Sequence, residues 1–285
     1  MKRLSVLLAA GLLLILPSCN QSFLSRIQEV HHLESGAVLS RAETPQATGI
    51  FGEWETELFD SHQSIAFIRI NPQVYTLDIF CGEGAAADST SALCTRNAAL
   101  AGINGSYFDI KKLSHATFIR DNGRVSASTD SSETFRTNGA FCSRADSLYI
   151  CSISALPEDA WETMASGPLL MDEGEVITYS EGIEGWDGFY NRRHPRSLIG
   201  TDADGFIWFV VVDGRAKGKA DGMTIDELTQ LAVMMGLSDA LNLDGGGSST
   251  LWSSVAGVLN HPCDNHRFDH VGQRVVPNVI SVKKR

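Results

Sequence analysis

From Ile50 onward the apolar residues come in short runs that alternate with polar positions or stop at turn residues. "SIAFIRI" (Ser64 to Ile70) and "VYTLDIF" (Val74 to Phe80) flank Asn71-Pro72, a spacing that predicts a hairpin. "GAFCS" and "SLYICSI" continue the strand pattern. "RSLIGTDADGFIWFVVVDGR" predicts two strands turning through Asp202 to Gly205, because Asp-Gly favours a tight turn. Ile207 to Val212 has no polar residue at all, which predicts a central strand buried on both faces. The period then changes to helical: Ile225, Leu228, Leu231, Ala232 and Met235 fall on one face. Thr224 with Glu227 forms a capping box ahead of them, and Gly236 supplies the stop. "ALNLD" follows as a strand, so 207–244 reads as one strand–helix–strand crossover. The pattern predicts an α+β fold: one domain over 49–285, with a mixed, mostly antiparallel β-sheet system and a few packed helices.

The first 48 residues follow another pattern. Lys2 and Arg3 precede an apolar run from Leu4 to Leu16, of signal-peptide length, which ends in "LPSC". This resembles a bacterial lipoprotein signal over residues 1–19, with Cys19 lipidated as the mature N-terminus; plain cleavage and secretion is the alternative. A lipid on Cys19 would tether the chain to a membrane of the cell envelope. Residues 20–48 are polar and weakly patterned, as in a tether. Export permits disulfides, and the local pairs Cys81–Cys94 and Cys142–Cys151 are the expected ones, leaving Cys263 over.

Composition narrows the partners. The 285 residues are 43% hydrophobic and carry a net charge of −11, without the broad basic footprint of a nucleic-acid binder. Local arginines can still hold a phosphate, and several stand where strands end. Asp244-Gly245-Gly246-Gly247-Ser248 closes one apolar run, and Asp213-Gly214-Arg215 closes another. Arg196 opens a strand, behind "NRRHP". "INGSYFD" places Asn104, Tyr107 and Asp109 after a fourth apolar run. The glycines fit either a sharp turn or a nest of backbone N–H groups for an anion. Trp186, Phe189 and Tyr190 beside the arginines fit either sugar stacking or loop anchoring. "HPCDNHRFDH" (His261 to His270) has the residue types of a metal site but the composition of a substrate-side loop.

The stretches "INGSYFD", "ASGPLLMDEGEV", "HPRSLIG", "VVDGR", "MTIDELTQLAVMMGLSDALNLDGGGSSTLW" and "RVVPNVISV" occur in this order. Together they resemble the phosphodiester glycosidase family over roughly residues 50–285. The resemblance implies hydrolysis of a sugar-1-phosphodiester, or a phosphorylated glycan, to free sugar and phosphomonoester, with no cofactor. Residue chemistry then suggests roles. Asp244 is the first choice for base or nucleophile, with Asp109 or Asp213 as second carboxylate. Arg196 and Arg215 would hold the phosphate, the Gly245, Gly246 and Gly247 amides with Ser248 its oxygens, and Asn104 and Tyr107 the sugar. Two rival readings remain at this level: a metal-dependent phosphodiesterase, and a non-catalytic phosphoglycan-binding surface lipoprotein.

Overall fold

The computed structural model describes residues 23–44, 47–127, 137–144, 147–179 and 186–285. Cys19 and the signal segment lie outside these. Among the described residues a nine-stranded sheet runs in the order Glu175–Val176, Leu169–Asp172, Leu237–Asn242, Arg196–Asp202, Ile207–Val212, Ser61–Ile70, Gly49–Leu58, Val30–His32 and Val38–Leu39. Two five-stranded sheets stand beside it. One joins Gly257–Val258, Leu251–Ser253, Ala101–Asn104, Asn278–Lys284 and Tyr75–Cys81; the other centres on Glu162–Ser166.

The sequence pattern follows from this layering. Ile207, Phe209 and Val211 enter one hydrophobic cluster together with Ile103 and Ile280 of a five-stranded sheet. Trp208, Val210 and Val212 point the other way, into a second cluster with Leu228, Leu231 and Ala232 of the Ile225–Met235 helix. Both faces of this strand are therefore covered, which is why it carries no polar position. The capping box is present in full, with Thr224 Oγ1 accepting from the Glu227 amide at 3.1 Å and Glu227 Oε2 accepting from the Thr224 amide at 2.9 Å. The crossover is also as expected. Ile207–Val212 and Leu237–Asn242 both run antiparallel to Arg196–Asp202, one on each side of it, and so parallel to each other.

Three expectations are corrected. The 64–80 hairpin does not form: Ser61–Ile70 pairs with Gly49–Leu58 and Ile207–Val212, while Tyr75–Cys81 pairs with Asn278–Lys284 in a different sheet. The described part of the 20–48 segment is docked rather than free. Phe23 is buried with its ring 5.3 Å from Trp54 and 5.4 Å from Phe67, and Val30–His32 pairs with Gly49–Leu58. Finally, all five described cysteines are free thiols. Cys142 and Cys151 do meet, but at 3.9 Å between sulfurs, a contact rather than a bond. Cys142 stands opposite Tyr149 and Cys151 opposite Ala140, so the hairpin register offsets them by two residues.

Candidate active site

Strand register builds the site. Arg196 pairs with Val212, and Leu198 pairs with Asn242. The entry of the Arg196–Asp202 strand thus lies beside the exits of its two neighbours, where Asp213 and Asp244 follow. The Ala101–Asn104 strand reaches the same edge from the other sheet: the Asp244 amide donates to the Gly105 carbonyl at 3.1 Å, and the Asn104 amide to the Thr250 carbonyl at 3.1 Å.

Asn104 is the clamp at this junction. Fully buried, it donates through Nδ2 to the Asp244 carbonyl at 2.7 Å and accepts through Oδ1 from Ser197 Oγ at 2.7 Å and the Thr250 amide at 3.1 Å. Its polar atoms are engaged by protein, so it positions Asp244 rather than holding a sugar. Tyr107 is similarly occupied. Its hydroxyl donates to the Gly167 carbonyl and accepts from Asn242 Nδ2 at 2.9 Å.

The carboxylates separate into three kinds. Asp213, 1% exposed, accepts four hydrogen bonds: from Asn260 Nδ2 and the His261 amide at Oδ1, and from Ser64 Oγ and His261 Nδ1 at Oδ2, all at 2.8–2.9 Å. Such a saturated group holds His261 and the loop after it, and has no lone pair left for a reacting atom. Asp109 is partly exposed and accepts the Lys111 and Lys112 amides at 2.8 and 3.0 Å, with the Lys112 ammonium at 3.9 Å. These backbone bonds hold its carboxyl below the usual range, and none of these partners is shared with Asp244. Asp244 stands half-buried at the end of its strand, its Oδ1 accepting the Gly245 amide at 2.9 Å.

The arginines separate too. Arg196 is 2% exposed and donates through Nε to the Met223 carbonyl at 2.8 Å and through Nη2 to the Phe189 and Arg192 carbonyls at 2.6 and 3.0 Å. The Phe189 ring lies 5.0 Å from it. No carboxylate among the described residues pairs with it, and burial lowers its pKa to about 10. The sequence expectation of a phosphate ligand becomes that of a buried cation that organises the 189–192 loop. Phe189 and Tyr190 serve as anchors of the same loop, the latter through a 2.6 Å bond to Asp226. Arg215, by contrast, is exposed, has its backbone in the left-handed region (φ 61) and pairs with no carboxylate among the described residues. Its Nη2 faces His194 Nδ1 at 3.4 Å and its Nη1 faces Cys263 Sγ at 3.9 Å. His194 Nε2 donates to the Gly188 carbonyl at 2.9 Å, leaving Nδ1 as the acceptor toward Arg215. Burial, with Arg196, Arg215 and Arg192 nearby, lowers the pKa of this imidazole.

The glycines are explained by what lies on them. Gly246 has φ +65, and a β carbon there would stand 3.0 Å from Arg215 Nη2. One on Gly247 would collide with the Arg274–Asp264 pair, itself joined at 2.6 Å. Part of the expected nest is already engaged within the protein. The Gly245 amide donates to Asp244, the Gly246 amide to the Pro195 carbonyl at 2.9 Å, and the Ser248 amide back to Gly245 at 3.2 Å. Triple glycine lets two arginines approach the backbone beside Asp244. Below it the hydroxyls of Ser248, Ser249 and Thr250 are buried without a hydrogen-bond partner among the described residues. In folded proteins such groups are exceptions.

His194, Cys263, Asp264 and Arg274 belong to this cluster and were not singled out as site residues by sequence. His194 carried a signal in its place among the arginines before a strand, and Cys263 and Asp264 in the 261–270 stretch; Arg274 carried none. The 261–270 stretch is engaged as a scaffold: His261 by Asp213, His270 by the Asn260 carbonyl at 2.8 Å, and Asp264 by Arg274.

A family model described as phosphodiester glycosidase matches residues 97–283. The chain belongs to the phosphodiester glycosidase family. Among solved structures it is similar to the zebrafish N-acetylglucosamine-1-phosphodiester alpha-N-acetylglucosaminidase catalytic domain auto-inhibited by pro-peptide, with TM-score 0.66, 17% identity and 84% of each chain covered. It is also similar to a hypothetical protein from Synechocystis, with TM-score 0.59, 16% identity, and 84% of this chain and 62% of that chain covered. At these identities the likeness is one of fold. In sequence it is 41% identical over 59 residues to the SPbeta prophage-derived uncharacterized protein YomE of Bacillus subtilis (strain 168). That match spans 21% of this chain and 9% of the relative's length.

Proposed function

We propose that this phosphodiester glycosidase cleaves the bond between a sugar anomeric carbon and the phosphate of a phosphodiester, releasing free sugar and a phosphomonoester. The observation that carries this reading is the placement of a half-buried carboxylate, Asp244, next to an exposed arginine, Arg215, that has no carboxylate partner among the described residues, across a bare glycine turn. The Arg215 fork matches a phosphodiester, and the buried Arg196 charge adds positive potential behind it. A phosphate diester is a competent leaving group once its charge is balanced, so little protonation of it is needed. Asp244 takes a proton from water as the water oxygen bonds to the anomeric carbon, or attacks that carbon itself to form a glycosyl ester that water then hydrolyses to free sugar and the restored carboxylate. The C–O electron pair passes to the phosphate oxygen, where Arg215 meets the added charge. Neutral His194 accepts from Arg215 and fixes the direction of its fork. Export and lipid attachment at Cys19 are part of the proposal, and incorporation of labelled palmitate by the wild type but not by Cys19→Ala tests them.

The test is a panel of sugar-1-phosphodiesters, beginning with N-acetylglucosamine because that sugar stands in the name of the zebrafish protein, followed by product analysis. Free reducing sugar and a phosphomonoester, formed equally with chelator present, support the reading. Sugar-1-phosphate and an alcohol as products, or loss of turnover on chelation, point to the rival phosphodiesterase.

A further inference from the structure

Next to Arg215 lies a cavity of about 330 Å³ lined by Arg215, Lys217, Lys219, His266, Arg267 and Phe268. Both walls are hydrogen-bonded loops. Ala216 and Ala220 exchange backbone bonds at 3.0 and 2.8 Å, which projects Lys217 and Lys219 from one tight turn, and the His266 amide bonds the Cys263 carbonyl at 3.0 Å on the other side. Phe268 is held by a 3.8 Å stack on His261, which Asp213 fixes in turn. Lys219 Nζ stands 5.0 Å from the Phe268 ring centre.

Among the described residues several partly buried cations are paired with carboxylates: Arg69 with Asp202, Arg193 with Glu227, Arg274 with Asp264 and Lys283 with Asp78. Among the described residues Arg215, Lys217, Lys219 and Arg267 have no such partner, no carboxylate lines the cavity, and the chain as a whole carries −11. Clustering like charges raises the free energy of the folded state unless an anion answers them, and a concave surface concentrates their field. One phosphate uses one arginine fork. Arg215 supplies that fork at the glycine turn, which leaves Lys217, Lys219 and Arg267 beyond it for a second anionic group.

We infer that this cavity is the aglycone subsite and that it selects phosphodiesters whose non-sugar side carries a second phosphate. The inference rests on the phosphodiester glycosidase reading of the Asp244 site and names its substrate class.

The test separates the two. Calorimetry compares methyl phosphate with propane-1,3-diol bisphosphate on the wild type and on a Lys217→Ala/Lys219→Ala/Arg267→Ala variant, whose altered side chains lie at the surface. Expected is tighter binding of the bisphosphate by about tenfold or more, a preference that weakens with salt and falls to near parity in the variant. Hydrolysis of N-acetylglucosamine-1-phosphodiesters with methyl or 3-phosphopropyl aglycones is expected to show the same preference in kcat/KM and the same collapse. Equal binding of both probes to the wild type, or a preference that survives in the variant, overturns the subsite. A binding preference without sugar release from either ester supports the subsite and fails the hydrolysis reading.

Discussion

The guanidinium of Arg215 lies so close over Gly246 that a β carbon there would stand 3.0 Å from Nη2. Gly246→Ala therefore meets two penalties, the left-handed backbone (φ +65) and the displaced arginine. Gly257 has a similar φ of +80 with nothing within 4 Å, so Gly257→Ala isolates the first. Both variants are expected to lose about 1 kcal/mol of stability from backbone strain. Only Gly246→Ala should also raise KM, and steady-state kinetics beside thermal melts checks this.

The two arginines should fail differently. Arg196→Ala removes the donors from three backbone carbonyls and leaves a cavity, so it is expected to cost about 3 kcal/mol or more in denaturant unfolding. Arg215→Ala, at an exposed side chain, should change stability by less than about 1 kcal/mol. Its kcat/KM should fall about a hundredfold, as the loss of a charged phosphate contact predicts.

Asp213→Asn leaves an amide where four donors converge, and one edge of that amide is itself a donor. The expected loss is about 2–3 kcal/mol of stability. Asp244→Asn should unfold near the wild-type midpoint while losing turnover. Paired urea titrations distinguish a scaffolding carboxylate from a reacting one.

Glu162, 3% exposed, has its pKa raised from 4.5 to about 7 by burial, with Asp121 and Asp78 adding to it. Below 4.5 the side chain is protonated in both folded and unfolded chains and contributes no pH dependence. Between 4.5 and about 7 the unfolded chain ionises first, so the folded state binds more protons and stability falls as pH rises. Glu162→Gln does not titrate. Relative to wild type it should gain roughly 2–3 kcal/mol between about pH 4.5 and pH 8, read from melts at both.

What was legible in the sequence was what is local. The Thr224–Glu227 box and the periodic face behind it act within one helix, and Ile207–Val212 announces its double burial in its own composition. The partner of Tyr75–Cys81 is Asn278–Lys284, at the other end of the chain, and no short-range pattern encodes that pairing. Phe23 looked like part of a tether because the aromatic rings that bury it, Trp54, Phe67 and Trp208, come from distant strands. At the site, aspartates at strand ends were readable as candidates. Their roles depended on which donors surround them, and Ser64, Asn260 and His261 reach Asp213 only in the fold. The glycine run was readable as a demand for bare backbone; that Arg215 and Arg274 make the demand was not.

The most direct test of the central claim is hydrolysis of an N-acetylglucosamine-1-phosphodiester in isotopically labelled water, by the wild type and by Asp244→Asn. The account predicts label on the anomeric hydroxyl of the released sugar, none in the phosphomonoester, and no turnover by the variant. Label in the phosphate, or undiminished turnover by Asp244→Asn, would contradict it.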